Sequence, residues 1–174
     1  MWALEKTNQL KILVIDDDCV SNVHIKDRLE KCGHYVQTHE SPIMGIELAL
    51  SSQFDVIIVD YLMPQMDGVQ VLRRIREQNR YIPVLMLTVY DKSSIATEFM
   101  AVGGSDFIPK PLPDCPHFAK IIECATERMQ RLYLEHERCK EFTAHTAAQS
   151  IKRELLDILS KKNIESAIKL LETL

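Results

Sequence analysis

The chain predicts an α/β fold in which a doubly wound parallel sheet is followed by an all-helical carboxyl-terminal extension. Three observations carry that prediction. Short apolar runs at Lys11–Ile15, Val56–Val59 and Val84–Leu87 suit strands buried on both faces, as in a parallel sheet covered by helices. Helical stretches separate them, so that strand and helix alternate five times with short links. After Pro113 the alternation stops, and the apolar residues recur only at the helical spacing of three and four.

Taken in order, the first strand, KILVI, ends at Asp16. Val20 to Cys32 then reads as a helix with Val20, Val23, Ile25 and Leu29 on its apolar face, stopped by Gly33. Tyr35 to His39 is a shorter strand. Ser41-Pro42 supplies an N-cap and a first-turn proline for the helix through Leu50. The central strand, Val56 to Val59, runs into Asp60. Met63-Pro64 cannot extend the ladder, and Asp67 caps a helix with Val69, Val71, Leu72 and Ile75 inward and Arg73, Arg74 and Arg76 toward water. Tyr81 to Thr88 is read as the fourth strand, Ser93 to Val102 as the fourth helix with Gly103-Gly104 as its stop, and Phe107-Ile108 as the fifth strand. From Phe118 one long helix carries Ile121, Ile122, Ala125, Met129 and Leu132. The stripe weakens in Thr143 to Ser150, a hinge or a solvated helix. Ile151, Leu155, Ile158 and Leu159, then Ile164, Ala167, Ile168, Leu171 and Leu174, form two further apolar faces around a break at Lys161-Lys162-Asn163. Residues 9–130 are thus one domain, and 131–174 a helical extension too small to bury a core alone.

Composition narrows the function classes. With 46% hydrophobic and 26% charged residues the chain reads as globular rather than disordered or membrane-embedded. A net charge of −4 gives no basic patch for nucleic acid, and the tail from His117 onward is balanced in sign. The amino-terminal stretch lacks the apolar core of a signal peptide, and no run is long enough to span a bilayer. Five cysteines without a CxxC pair predict reduced, packed thiols and a cytoplasmic setting, with Cys19 the one nearest the acidic edge.

The chemistry gathers at strand ends. If the strands are parallel, their carboxyl ends share one edge, where open α/β sheets place their ligand sites. That edge holds Asp16 and Asp17, the lone Asp60, the hydroxyl of Thr88 and the amine of Lys110. Clustered acids attract a hard cation such as Mg²⁺, which neutralises an incoming phosphoryl group. Lys110 and Thr88 can hold the transferred oxygens, and Asp60, set apart from the acidic pair, suits a nucleophile.

Asp16-Asp17, Asp60 within DYLMPQMDG, Thr88 and Lys110-Pro111 together resemble the receiver domain of two-component response regulators, over about residues 9–130. The resemblance implies a flavodoxin-like sheet of order 2-1-3-4-5, an order for which a receiver protein is one of the standard examples. It implies that Asp60 accepts a phosphoryl group from a sensor histidine kinase. It implies Mg²⁺ held by Asp17, Asp60 and the backbone carbonyl of Leu62, with Asp16 acting through a bound water. Thr88 and Phe107 match the family's switch pair, which alters the surface around the fourth helix, fifth strand and fifth helix, and Lys110-Pro111 matches a bond usually cis in the family. Apart from its own phosphorylation and dephosphorylation, such a protein is not an enzyme. The sequence departs from the family at Val89, where a smaller residue is usual. Leu62 and Tyr90 stand where the family tunes dephosphorylation, and the apolar Leu62 predicts a long-lived phosphoryl form.

Two other readings use the same residues. KILVIDDDCV also fits the first motif of haloacid-dehalogenase-like phosphatases, with Asp16 as nucleophile and Asp18 as acid/base, but this leaves Asp60 without a role. A receiver-shaped module that is never phosphorylated would not need the full set of acids, threonine and lysine. Asp18 by itself reads as a helix cap or loop acid, and His145 lacks the acidic neighbour of a phosphotransfer histidine. ILSKKNIESAIKLL has a faint likeness to the first helices of a helix-turn-helix unit without a recognition helix, so no direct nucleic-acid binding is expected. The stripe on the fifth helix suits a homodimer or output-protein contact instead.

Overall fold

A computed structural model of the chain describes residues 9–88, 93–160, 168–169 and 171–172. Two compact units divide the chain, Met1–Arg131 and Leu132–Leu174. The first holds β1 (Lys11–Ile15), α1 (Cys19–Lys31), β2 (Tyr35–His39), α2 (Pro42–Ser51), β3 (Val56–Asp60), α3 (Gly68–Gln78), β4 (Val84–Thr88), α4 (Ser93–Val102) and β5 (Asp106–Pro109), and α5 (Cys115–Ser160) begins there. Every strand pairing is parallel, and the order is β2-β1-β3-β4-β5, the flavodoxin-like arrangement expected.

The unbroken apolar strands follow from having helices on both faces. Alternate residues of β1 and β3 point to opposite sides. Leu13, Ile15, Ile57 and Val59 pack with Ile46, Val69, Leu72 and Phe99 on one side. Ile12, Val14, Val56 and Ile58 pack with Ile25, Leu29, Phe118 and Ile122 on the other. Asp18, Ser41 and Asp67 cap α1, α2 and α3 by accepting backbone N–H groups of Val20, Met44 and Gln70. Gly33 and Gly103 follow α1 and α4 with φ of 92° and 101°, in the left-handed region where a glycine costs least.

Several local expectations are corrected. The inward face of α1 is Asn22, Ile25 and Leu29, whereas Val20 and Val23 are exposed, because the face that meets the sheet is in phase with Asn22. Strand β4 starts at Val84 rather than Tyr81: Pro83 has no N–H for the ladder, and the Asn79 side chain takes the N–H groups of Tyr81 and Ile82. Arg76 does not face water. It is half-buried, and its guanidinium donates to the carbonyls of Gly103, Asn79 and Ile82, which ties the end of α3 to the turn before β5.

Residues 143–150 are helical and exposed, so of the two readings there the solvated helix holds. Thr143 and Thr146 turn their hydroxyls back to the carbonyls of Cys139 and Phe142. The expected break at Lys161-Lys162-Asn163 and most of the final apolar face lie outside the described residues. Among the described residues, no helix is long and apolar enough to cross a membrane.

The thiols are the largest correction. Cys32, the C-cap of α1, and Cys115, the first residue of α5, are joined by a disulfide with a Cα–Cα distance of 5.5 Å. Cys19, Cys124 and Cys139 are free and exposed rather than packed.

Candidate functional site

The pairing of β1 with β3 sets Ile15 beside Val59, so the next residues, Asp16 and Asp60, leave the sheet at the same level. The carboxyl ends of the two central strands thus bring both acids to one crevice. Asp16 is buried. Its Oδ1 accepts the N–H of Asp18 at 3.0 Å, and its Oδ2 accepts from Ser21 Oγ at 2.8 Å and from Lys110 Nζ at 2.8 Å. Asp60, also buried, places Oδ1 2.7 Å from Lys110 Nζ, and its Oδ2 accepts the N–H of Leu62 at 2.9 Å. Asp17 is exposed at the rim.

Lys110 is therefore the hub. It follows β5 directly, and its backbone N–H donates to the Thr88 carbonyl at 2.9 Å, which sets the lysine next to the end of β4. Its peptide bond to Pro111 is cis. One ammonium between two carboxylates offsets much of the cost of burying them. Burial pushes the Asp60 carboxyl up from its ordinary range, while the hydrogen bond and charge of Lys110 pull the other way without cancelling it. Burial pulls the Lys110 ammonium down, but its bonds to Asp16 and Asp60 outweigh that and hold it above its ordinary value.

Asp16, Asp17 and Asp60 each offer a carboxylate oxygen, all within 4.8 Å of one another. Three oxygen donors at that spacing, two of them on buried side chains, fit a small hard divalent cation and would suit a soft, thiolate-seeking metal poorly. Thr88 stands at the end of β4, and Phe107 lies in β5 with its ring 5.3 Å from that of Phe99 on α4. Val89 and Tyr90 lie outside the described residues. Asp18 Oδ1 accepts the Val20 N–H at 2.9 Å, so this acid serves as the cap of α1.

Sequence reasoning missed Ser21 and Asn22. Ser21 fixes one oxygen of Asp16, and Asn22 Nδ2 donates to the Asp16 carbonyl at 2.7 Å. The signal was present: Asn22 is in phase with Ile25 and Leu29, where an apolar residue would be expected, and a buried amide needs a partner. Its Oδ1 is buried without a hydrogen bond among the described residues.

A parallel sheet of this order with buried aspartates and a bridging lysine at one crevice defines a receiver-type signalling domain. Residues 12–122 match the family described as the response regulator receiver domain, and the chain belongs to that family. The response regulator MprA of Mycobacterium ulcerans (strain Agy99) is 30% identical over 102 residues, which cover 59% of this chain and 44% of that protein. The chain therefore spans under half the length of the curated relatives it matches. A response regulator receiver domain protein from Clostridium thermocellum superimposes with a TM-score of 0.63 at 30% identity, over 71% of this chain and 98% of that one. The Francisella response regulator 1452 receiver domain does so with a TM-score of 0.61 at 28% identity, over 68% and 98%.

Proposed function

We propose that residues 9–130 take a phosphoryl group onto Asp60 from the phosphohistidine of a sensor histidine kinase, and that residues 131–174 serve self-association or contact with an output partner. The observation that carries this reading is Lys110, whose Nζ lies 2.8 Å from Asp16 and 2.7 Å from Asp60. An Asp60 oxygen attacks phosphorus, the imidazole nitrogen of the donor leaves, and the Lys110 ammonium moves from the carboxylate to a phosphoryl oxygen as negative charge builds there. Thr88, at the neighbouring strand end, donates its hydroxyl to a second oxygen.

Asp16, Asp17 and Asp60, with the carbonyl of Leu62, would hold Mg²⁺; when bound, the ion supplies charge neutralisation for the acids and the incoming group. Once Thr88 turns toward the phosphoryl group, Phe107 can follow, and its contact with Phe99 carries the change from β5 to α4. That α4–β5–α5 surface is where the switch would reach its partners. The phosphatase reading is disfavoured because Asp18, its acid/base, already caps α1.

The test is radiolabelled acetyl phosphate with Mg²⁺. Stoichiometric, alkali-labile labelling that vanishes in Asp60→Asn is the expected result; catalytic release of phosphate, or labelling retained in that variant, would overturn it. The exposed side chain of Leu62 offers no hydrogen bond to an attacking water. The label is therefore expected to decay over minutes to hours, and decay within seconds would refute a long-lived phosphoryl form.

A further inference from the structure

We infer that Cys32 and Cys115 are a reversible thiol–disulfide pair that locks the loop carrying Lys110 against α1. The two residues lie 83 positions apart in sequence and share no strand or helix, yet the fold brings their Cα atoms to 5.5 Å, within the span a disulfide needs. Neither sulfur is sealed in the core: Cys115 is exposed and Cys32 is half-buried. Disulfides open to attack exchange readily with small thiols. Cys115 is also the first residue of α5, whose opening turn is capped by Asp114 accepting the His117 N–H at 3.0 Å.

The position gives the bond its consequence. A groove of about 510 Å³ runs between α1 and the loop after β5, with His24, Ile25 and Arg28 on one wall and Lys110, Pro111 and Leu112 on the other. Cys32 directly follows the helix of the first wall, and Cys115 directly follows the loop of the second. The disulfide therefore ties the end of α1 to the end of that loop far from Lys110. Ile25 and Leu29 of α1 and Phe118 and Ile122 of α5 are buried in one apolar cluster, which holds both helices in the fold without it. Opening the bond thus frees the loop and leaves the domain folded.

The chemistry balances with a small disulfide such as oxidised glutathione. One protein thiolate attacks a glutathione sulfur and expels glutathione thiolate. The second protein thiolate then attacks the mixed disulfide and expels another. Two thiols lose two electrons, the oxidant gains them, and the protons pass to the departing thiolates. This inference does not rest on phosphorylation of Asp60.

The intact chain is equilibrated in reduced and oxidised glutathione at several ratios, free thiols are alkylated, and peptides are mapped by mass. A Cys32–Cys115 peptide that rises and falls with the ratio through repeated cycles is expected, with Cys19, Cys124 and Cys139 alkylated throughout. Hydrogen exchange in residues 28–34 and 110–118 should be about tenfold faster in the reduced wild type. Cys32→Ser and Cys115→Ser should match that reduced state in either buffer. Absence of the linked peptide at every ratio, a link that resists reduced glutathione in the folded protein, or equal exchange in both states would each overturn the inference. The reduced wild type carries the exchange comparison even if a serine variant folds poorly.

Discussion

Asp60 sits between burial, which favours its neutral form, and Lys110, which favours its charge, and burial prevails. The consequence for stability has a definite sign. A carboxyl whose folded value lies above its unfolded one binds its proton more tightly in the native state. Its stabilising share is complete below the ordinary carboxylate value of about 4 and is lost as pH rises through the raised folded value. Lys110, also held above its ordinary value, keeps its share up to alkaline pH and loses it only beyond the lysine range, so the two effects separate. Urea unfolding of the wild type and Asp60→Asn at a series of pH values checks this. The stability of the wild type relative to the variant should be highest in acid and should decline toward neutrality; a constant difference would contradict the burial of this carboxyl. The residues of this site were legible one by one because each stands where an apolar strand stops. Ser21 was not, since a polar residue inside a helical stretch looks like a solvated position until the neighbouring acid is placed, and Asn22 left only its phase with Ile25 and Leu29 as a signal.

At the scale of elements, the turn from β3 to α3 matters most, because it begins at Asp60, the proposed phosphoryl acceptor. Gly68 opens α3, and a Cβ there would lie 2.6 Å from the Asp60 carbonyl oxygen, a backbone atom that cannot move independently of its strand. The N–H of Gly68 also donates to the Tyr61 carbonyl at 3.0 Å, so helix and strand end are already in contact. Gly68→Ala should therefore cost about 1–3 kcal/mol, as for other overpacked sites, read as a lower urea midpoint. The same variant should slow acetyl phosphate labelling of Asp60, since the strand end must shift to admit the methyl group. Unchanged stability and labelling would show that the turn has slack. The caps at Asp18, Ser41 and Asp67 could be read from the sequence, as short polar residues ahead of helical runs. The role of Arg76 could not. Burial pulls its guanidinium down to about 10, and its acceptors include carbonyls of Ile82 and Gly103, which only the folded backbone brings beside it.

At the scale of the molecule, the sheet order became legible only through the family resemblance, while the alternation of strand and helix was plain from periodicity. The link between Cys32 and Cys115 was hidden for a different reason: nothing in the local sequence at either position records that the end of α1 lies beside the start of α5. Parity and the absence of a CxxC pair argued for free thiols, and tertiary proximity overruled both. A cross-link closing so long a loop acts mainly on the unfolded chain, which it keeps compact, and is worth roughly 2–4 kcal/mol. Reduction should then lower the melting temperature on the order of 10 °C for a unit of this size. It should also steepen the urea dependence of unfolding, because the reduced unfolded chain exposes more surface. Cys32→Ser should melt at the reduced temperature with or without dithiothreitol, which separates loss of the bond from other effects of the reductant. If the wild type shows neither the temperature shift nor the change in slope, the two helix ends meet in solution without a covalent tie. The packing of Ile25 and Leu29 in one cluster with Phe118 and Ile122 would then account for their approach unaided.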